Sequence, residues 1–408
     1  MDDPTRSRTV LVMTANLGSL FDEDTMELQW FNSFEEVMEL RKPVVVALHL
    51  QEVGGKDYEV SMPKVDTFVS HLMSLKCMTF LNRLRGYLDK DFKSSDHFTA
   101  LGSLYFFHSD LPEVEIWDCN EGRFLPLLND AIVTSCDAVN TDHTFVKQKF
   151  PTDFFPGVKW SRKGFLATKW RIGKNIMHFV NIHLFHDESN FVAMEKSPSE
   201  YSSYRKTALS HVLNRLKDLV KGDEALFLYG DFNFRLDLQA VIKHLTDGHC
   251  SQHIRSDSGE YSRIVYRNSS EDVLTIEKKG FFISCDSPFT RNYVELFPFD
   301  NELKQFQHLK ELPVSFQPSY PFSEEIGEGC LYLPKRCPAW CDRILMNDAA
   351  ARLIEKNPTD VSYSMMGKDV CVGDHKPIYL TFSLNQVDSS RPEQSNAMEI
   401  GKTPPSNE

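Results

Sequence analysis

Long apolar runs, a surplus of positive charge and cysteines at metal-binding spacing are all missing from this sequence. No stretch reaches the roughly 20 consecutive apolar residues that cross a bilayer, and the longest candidate, residues 44–50, is broken by His49. A membrane-spanning helix is excluded. The polar opening Met1-Asp2-Asp3-Pro4-Thr5-Arg6 runs into a short apolar run at 9–15, without the length or small-residue exit of a signal peptide, so secretion is not implied. A formal net charge of −13 argues against a dedicated nucleic-acid binder, whose affinity comes from surplus Lys and Arg on phosphates; it leaves room for a local basic pocket. The nine cysteines are odd in number and scattered, which suits reduced thiols in a cytoplasmic setting. Cys337 and Cys341 lie close together, but no second Cys or His pair follows at a zinc spacing, and both read as packing residues. No internal repeat is present.

What is present is enough apolar material for a large core: 41% hydrophobic and 12% aromatic residues in a chain of 408, sufficient for one large or two ordinary domains. Residues 9–15 read as a buried strand ending at Asn16 and Gly18. Trp30, Phe34, Val37 and Met38 recur at helical spacing until Pro43 stops the pattern, and 44–50 reads as another strand. Further apolar runs fall at 98–107, 164–170, 176–183, 225–230, 343–346 and 378–382, with amphipathic segments at 65–81 and 204–219. Several strands follow one another without a helix between them. The fold class is therefore α/β with mixed or antiparallel sheets packed face to face and helices outside, not a doubly wound parallel sheet. One catalytic domain is expected over 8–384, with insertions near 113–159 and 246–312, and a disordered tail at 385–408 that is rich in Ser, Pro, Glu and Asn.

Several strand ends finish in polar residues that a folded core would not require. Glu52 offers a hard carboxylate and Asn16 a carbonyl oxygen, the ligand types Mg²⁺ prefers; taken singly, an Asn after a strand is more often an Asx-turn and a Glu a solvated loop residue. In Gly230-Asp231-Phe232-Asn233-Phe234-Arg235, an extended path would send Asp231 and Asn233 to one face and Phe232 to the other. A carboxylate there can take a proton from an attacking water and the amide can donate to phosphoryl oxygens; a turn capped by its own side chains is the alternative. His183 and His375 lie at comparable strand ends with Asp or Asn neighbours able to fix a tautomer, whereas His49, His178 and His186 read as structural. Asp342 is an orienting carboxylate for His375, and Arg343 beside it can bind phosphate. The pair Arg162-Lys163, flanked by Trp160 and Phe165, reads as an anion clamp or as a plain surface charge pair. Pro318-Ser319-Tyr320-Pro321-Phe322 suits the wall of a pocket, although a plain turn is the more usual reading of such a segment.

Together these segments resemble the inositol polyphosphate 5-phosphatases, a branch of the superfamily that includes deoxyribonuclease I. The specific motifs are Gly-Asp-Phe-Asn-Phe-Arg at 230–235, Pro-Ala-Trp-Cys-Asp-Arg-Ile-Leu at 338–345 and Gly-Asp-His-Lys-Pro at 373–377. Ser161-Arg162-Lys163-Gly164-Phe165, the run 181–187 and Pro318-Ser319-Tyr320-Pro321 look like its type I, inositol trisphosphate-cleaving subfamily. The resemblance implies a four-layer, deoxyribonuclease-I-like sandwich and Mg²⁺-dependent removal of the 5-phosphate from soluble Ins(1,4,5)P₃ and Ins(1,3,4,5)P₄, ending a calcium-releasing signal. It implies that Asn16 and Glu52 hold Mg²⁺, that Asp231 deprotonates the water, and that Asn233 and His183 bind the scissile phosphate. His375, oriented by Asp342, engages that phosphate too, and Asp374 stands beside the metal shell. Lipid-cleaving relatives carry Lys where Pro321 stands, so a phosphoinositide lipid is the secondary substrate expectation, and Arg162 and Lys163 take over more of the reading. The type I prenylation box is not seen in Pro404-Pro405-Ser406-Asn407-Glu408; peripheral association with the plasma membrane stays open, and a monomer is expected. A nuclease on the same scaffold would need a basic duplex-binding face, whereas the motifs supply only Arg162, Lys163, Arg343 and Lys376. A catalytically dead binding scaffold would be expected to have lost a metal ligand or the Asp and Asn pair.

Overall fold

The structure is a computed structural model and describes residues 8–137, 141–155, 161–269, 271–285, 287–356, 358 and 361–384. The expected tail at 385–408, residues 138–140 and 156–159 of the first expected insertion, residues 270 and 286 of the second, and Trp160 lie outside the described residues. In chain order the elements are β1 (Arg8–Asn16), α1 (Asp24–Arg41), β2 (Val45–Gln51), α2 (Tyr58–Ser61), α3 (Lys64–Ser74), β3 (Arg83–Leu88), β4 (Gly102–Phe107), β5 (Val114–Asp118), β6 (Arg123–Pro126), β7 (Ala131–Ser135) and β8 (Phe145–Lys149). There follow β9 (Gly164–Ile172), β10 (Asn175–His183), α4 (Asn190–Glu195), α5 (Glu200–Leu216), β11 (Ala225–Asp231), α6 (Leu238–Leu245), β12 (Cys250–Arg255), β13 (Tyr261–Asn268), β14 (Glu271–Glu277) and β15 (Gly280–Ile283). The last are α7 (Ser287–Thr290), β16 (Asp342–Met346), α8 (Asp348–Glu355), β17 (Ser362–Met365) and β18 (Ile378–Leu384).

Two large mixed sheets result. The first runs β17-β18-β1-β2-β4-β3-β7 and the second β16-β11-β10-β9-β5-β6, with β8 also on β9. Period-2 alternation sorts the side chains of β1 and β2. Val10, Val12, Val45 and Ala47 join Tyr105, Trp170, Phe179 and Phe227 in the core between the sheets. Leu11, Met13, Val46 and Leu48 face the other way, onto Trp30, Phe31 and Phe34 of α1 and Phe68 of α3. On the far side, Ala208, Leu209 and Val212 of α5 and Ala350 and Ile354 of α8 join the apolar cluster of the second sheet. Helices, sheet, sheet and helices make the four layers. Helix α1 ends where Lys42 turns left-handed (φ 47°), its N–H closing on Met38 O, and Pro43 prevents continuation.

The expected insertions differ in character. From the first, β7 joins the first main sheet and β5, β6 and β8 join the second. From the second, β12, β13, β14 and β15 form a separate antiparallel sheet, whose first strand is exposed throughout. No helix among the described residues is long and apolar enough to cross a membrane.

Candidate active site

The surface between the sheets changes from apolar to polar toward one end. His49 stacks on Tyr229 with ring centroids 3.7 Å apart and meets Tyr105 Oη at 3.0 Å; burial lowers its pKa to about 3, so it is neutral and structural. Beyond it, Thr14 Oγ1 donates to Gln51 Oε1 (3.0 Å) and Gln51 Nε2 to Asn181 Oδ1 (2.7 Å), bridging the sheets. At the rim, His183, Asp231 and Asp342 are register partners on β10, β11 and β16. Asn16 ends β1 on the opposite sheet and donates through Nδ2 to Asp231 Oδ2 at 3.1 Å. Residues far apart in the chain thus meet because parallel β1/β2 and parallel β10/β11 finish at the same end of the sandwich.

Asp231 is the hub. Its Oδ2 lies 3.1 Å from His183 Nε2, 3.1 Å from Asn233 Nδ2 and 3.9 Å from His375 Nε2. Asn233 arrives by a turn and not by the extended path expected. At φ 51° it is left-handed, a region Asn tolerates, and its backbone N–H donates to Asp231 Oδ1 at 2.8 Å. The self-capped turn and the site are the same structure. His375 Nδ1 lies 2.9 Å from Asp342 Oδ2, which also accepts from Ser319 Oγ at 2.8 Å. Tyr320 packs on His375 with ring centroids 4.4 Å apart, and Asp374 Oδ1 accepts from Ser19 Oγ at 2.8 Å. Glu52, left-handed at φ 54°, accepts from Arg162 Nη2 at 2.7 Å; Lys163 Nζ lies 3.6 Å from its Oε1 and also touches His183 Nε2.

The electrostatics divide these groups. Burial alone would raise the Glu52 carboxyl, but Arg162, Lys163 and His183 outweigh it and hold it at about 2. Asp231 is likewise held far below the usual carboxylate range against its burial, by His375, His183 and Lys163. His375 goes the other way: burial opposes its charge, yet Asp342 and then Asp231 raise it to about 9. His183 is lowered by burial and by Lys163. At neutral pH the site therefore holds ionised Asp231 and Glu52, cationic His375 and neutral His183.

Asp231, Asp342 and His375 bring ligand-type atoms within 4.8 Å of one another, but His375 Nδ1 is taken up by Asp342 Oδ2 at 2.9 Å. A better match to a hard cation lies between Asn16 and Glu52. A Cβ at Gly18 would stand 2.9 Å from Glu52 Oε2 and 3.2 Å from Asn16 Oδ1, so glycine keeps the space before two hard oxygens open. Asn16 Oδ1 also accepts from Gly18 N at 2.9 Å, and a carbonyl oxygen has a second lone pair. These residues fit a divalent ion such as Mg²⁺.

Two expected phosphate-binding cations do not reach the site. Arg343 follows Asp342 in β16, so its side chain leaves the opposite face; it is buried, paired with Asp300 and with Glu311 at 2.8 Å, and donates to Trp340 O. Lys376 is buried, donating to Gly367 O (3.0 Å) and Val370 O with its ammonium over Phe322. His178 is structural, 2.7 Å from Glu224. His186 is not: it is exposed and lines a cleft of about 470 Å³ with Glu188, Lys278, Lys279, Tyr320, Lys335 and Arg336. Arg235, given no role by the sequence reading, is buried beneath Tyr320 (4.5 Å to the ring) and donates to Asn233 Oδ1 at 2.6 Å, which fixes the amide so that Nδ2 faces Asp231. Its place in the Gly-Asp-Phe-Asn-Phe-Arg motif, two residues beyond Asn233, was the available signal.

The model of endonuclease/exonuclease/phosphatase family 2 matches residues 133–265 and 295–381. Inositol polyphosphate-5-phosphatase A of Canis lupus familiaris is 44% identical over 385 residues, covering 92% of this chain and 93% of that protein. A probable type I inositol 1,4,5-trisphosphate 5-phosphatase of Caenorhabditis elegans is 33% identical over 412 residues, covering 92% of this chain and 99% of its own. Among solved structures, the inositol polyphosphate 5-phosphatase domain of spsynaptojanin in complex with inositol (1,4)-bisphosphate and calcium ion is similar at TM-score 0.48 and 16% identity, over 93% of this chain and 84% of that one. Fold, site and family model together define an enzyme of the endonuclease/exonuclease/phosphatase class. Within that class, the chain belongs to the inositol polyphosphate 5-phosphatases.

Proposed function

We propose that this protein is a Mg²⁺-dependent phosphatase that removes the 5-phosphate from soluble Ins(1,4,5)P₃ and Ins(1,3,4,5)P₄ in the cytoplasm and so ends a calcium-releasing signal. The observation that carries the reading is the basic cleft beside His375. Lys278, Lys279, Lys335 and Arg336 face a single lining carboxylate, Glu188, in a chain of net charge −13, and Tyr320 belongs to both cleft and site. Such a cleft suits a small, densely anionic ring. Nine unpaired thiols support a reducing compartment.

Asn16 and Glu52 would hold the cation, which supplies Lewis acidity toward phosphoryl oxygens when bound. Asp231, ionised throughout the neutral range, accepts the proton of the attacking water; His375, whose proton Asp342 favours, is placed as a donor. His375, Asn233 and His183 donate to the phosphoryl oxygens as charge grows on them, and Asp342 holds the His375 ring by Nδ1. A phosphate-release panel tests the reading. Rapid release from Ins(1,4,5)P₃, slower release from phosphoinositide vesicles and intact plasmid DNA are expected; nicking of the plasmid, or no preference for the trisphosphate over a simple phosphate ester, would overturn it.

A further inference from the structure

Helix α5 carries an arginine on its apolar stripe. Arg205 shares one buried face of the helix with Tyr201, Ala208, Leu209 and Val212, the spacing of a core-facing stripe, and is 0% exposed. A helix that needed only to pack would place an apolar side chain there, since a buried charge is costly unless its donors are spent. Arg205 spends them in two directions. Nε donates to Glu302 Oε2 at 2.8 Å and Nη2 to Oε1 at 2.6 Å, a planar fork on one carboxylate. Nη1 donates to Phe185 O at 3.1 Å and to Asp187 Oδ1 at 2.6 Å.

The two segments so held are the two that grip the Asn233 amide. Glu302 Oε1 also accepts from the backbone N–H of Arg235 at 3.0 Å, and Arg235 Nη2 donates to Asn233 Oδ1 at 2.6 Å. On the other side, Asn233 Nδ2 donates to Leu184 O at 3.0 Å, the carbonyl just before Phe185, and to Asp231 Oδ2 at 3.1 Å. Asn233 stands beyond the end of β11, where no strand ladder sets its direction. Its frame comes from outside the sheet, and one guanidinium joins both halves of it. Glu302 is steadied in turn through Asp300, which pairs with Arg343 of β16.

We propose that Arg205 is a positioning residue for the hydrolysis, which sets, through Glu302 and the 185–187 segment, the orientation in which Asn233 presents its amide to the phosphoryl group. This rests on the proposed function, in which Asn233 donates to that group. Arg205→Lys keeps the charge and loses the fork, and is expected to lower kcat for Ins(1,4,5)P₃ about 10-fold, the order of cost of a slightly misplaced group. A packing role alone would lower only stability, so a double-mutant cycle separates the two. Added to Asn233→Ala, Arg205→Lys is expected to lower kcat by less than about twofold further, because the group it acts through is gone, while its effect on Tm is the same in both backgrounds. Losses of kcat that multiply in the double variant, or an undiminished kcat in Arg205→Lys, would overturn the role. Should Arg205→Lys not fold, Glu302→Gln, which keeps an acceptor for the Arg235 N–H but breaks the fork, carries the same cycle with the same two outcomes. The side-chain amide NMR signal of Asn233, assigned by its loss in Asn233→Ala, is the measurement that does not depend on hydrolysis. In the variant that breaks the fork it is expected to move toward the position of a free amide, while that of Asn181, whose Nδ2 donates to Leu50 O (3.0 Å) and Gly102 O (2.7 Å) inside the sandwich, stays in place. A stationary Asn233 signal beside intact phosphate release would overturn the positioning and leave the hydrolysis standing. A shifted signal, with a wild-type chain that releases no phosphate from Ins(1,4,5)P₃, would overturn the function and leave Arg205 as the residue that holds the amide.

Discussion

At the scale of single residues, the site works by giving similar groups different charges. Asp231 collects donors from Asn16, His183 and Asn233, and removing it leaves them without their acceptor while the cationic cleft is unchanged. Asp231→Ala is expected to lower kcat at least 10²- to 10⁴-fold, the usual worth of a positioned base, with Ins(1,4,5)P₃ still bound by calorimetry; near-wild-type turnover would end the base assignment. Gly18→Ala is a sharper test of the metal cradle. The added Cβ would crowd both Glu52 Oε2 and Asn16 Oδ1, so the Mg²⁺ concentration for half-maximal rate is expected to rise several-fold with Tm nearly unchanged. His375 sets a pH dependence with a definite sign. Its folded pKa of about 9 lies above the ordinary 6.5, so its contribution to stability is complete below about 6.5 and is lost as pH rises through 9. Denaturant unfolding without metal is expected to show wild type losing on the order of 3 kcal/mol between these limits relative to His375→Asn. Equal slopes for the two chains would show that the pair with Asp342 does not hold the proton.

At the scale of elements, strand ends were readable because apolar runs are bounded by polar residues, and the site residues are largely those bounds: Asn16, Glu52, His183 and Asp231 after a run and Asp342 before one. Alternation within a strand carried more than was taken from it. Asp342 and Arg343 are neighbours on β16 and cannot share a face, which explains why Arg343 pairs with Asp300 and Glu311 instead of phosphate. Breaking such a buried pair is costly, about 3–5 kcal/mol. Arg343→Met is thus expected to lower the denaturation midpoint strongly while KM of the folded fraction stays unchanged; a raised KM at unchanged stability would return Arg343 to the site. The turn at Asn233 was not legible as such, because an extended path and an Asx-turn both bring it near Asp231, and only the left-handed φ separates them. The accessory sheet was illegible for a different reason. Its first two strands face solvent over most of their length, so they carry little apolar period to read, and the cleft cations it brings near Tyr320 lie about forty residues from the nearest motif.

At the scale of the whole molecule, the distribution of charge bears on the form in which a substrate would arrive. The chain carries −13 overall, yet concentrates Lys278, Lys279, Lys335 and Arg336 in one cleft. A free inositol phosphate diffuses into that cleft and feels the local cations at a range of about 10 Å at 0.1 M salt, the screening length. A phosphoinositide headgroup in an anionic leaflet forces the rest of the surface toward a negative potential, and each like charge brought within a Debye length opposes docking. Preference for the soluble trisphosphate should therefore depend on the lipid matrix as well as on the pocket. Turnover of a phosphoinositide is expected to be severalfold faster in uncharged mixed micelles than in vesicles rich in phosphatidylserine, while turnover of Ins(1,4,5)P₃ is the same with either present. Raising salt should narrow the gap between the two lipid forms, because the long-range repulsion is screened, and should raise KM for the trisphosphate, because the cleft is screened too. Equal lipid turnover in charged and uncharged matrices at low salt would show that selectivity lies wholly inside the cleft and that the net charge has no part in it.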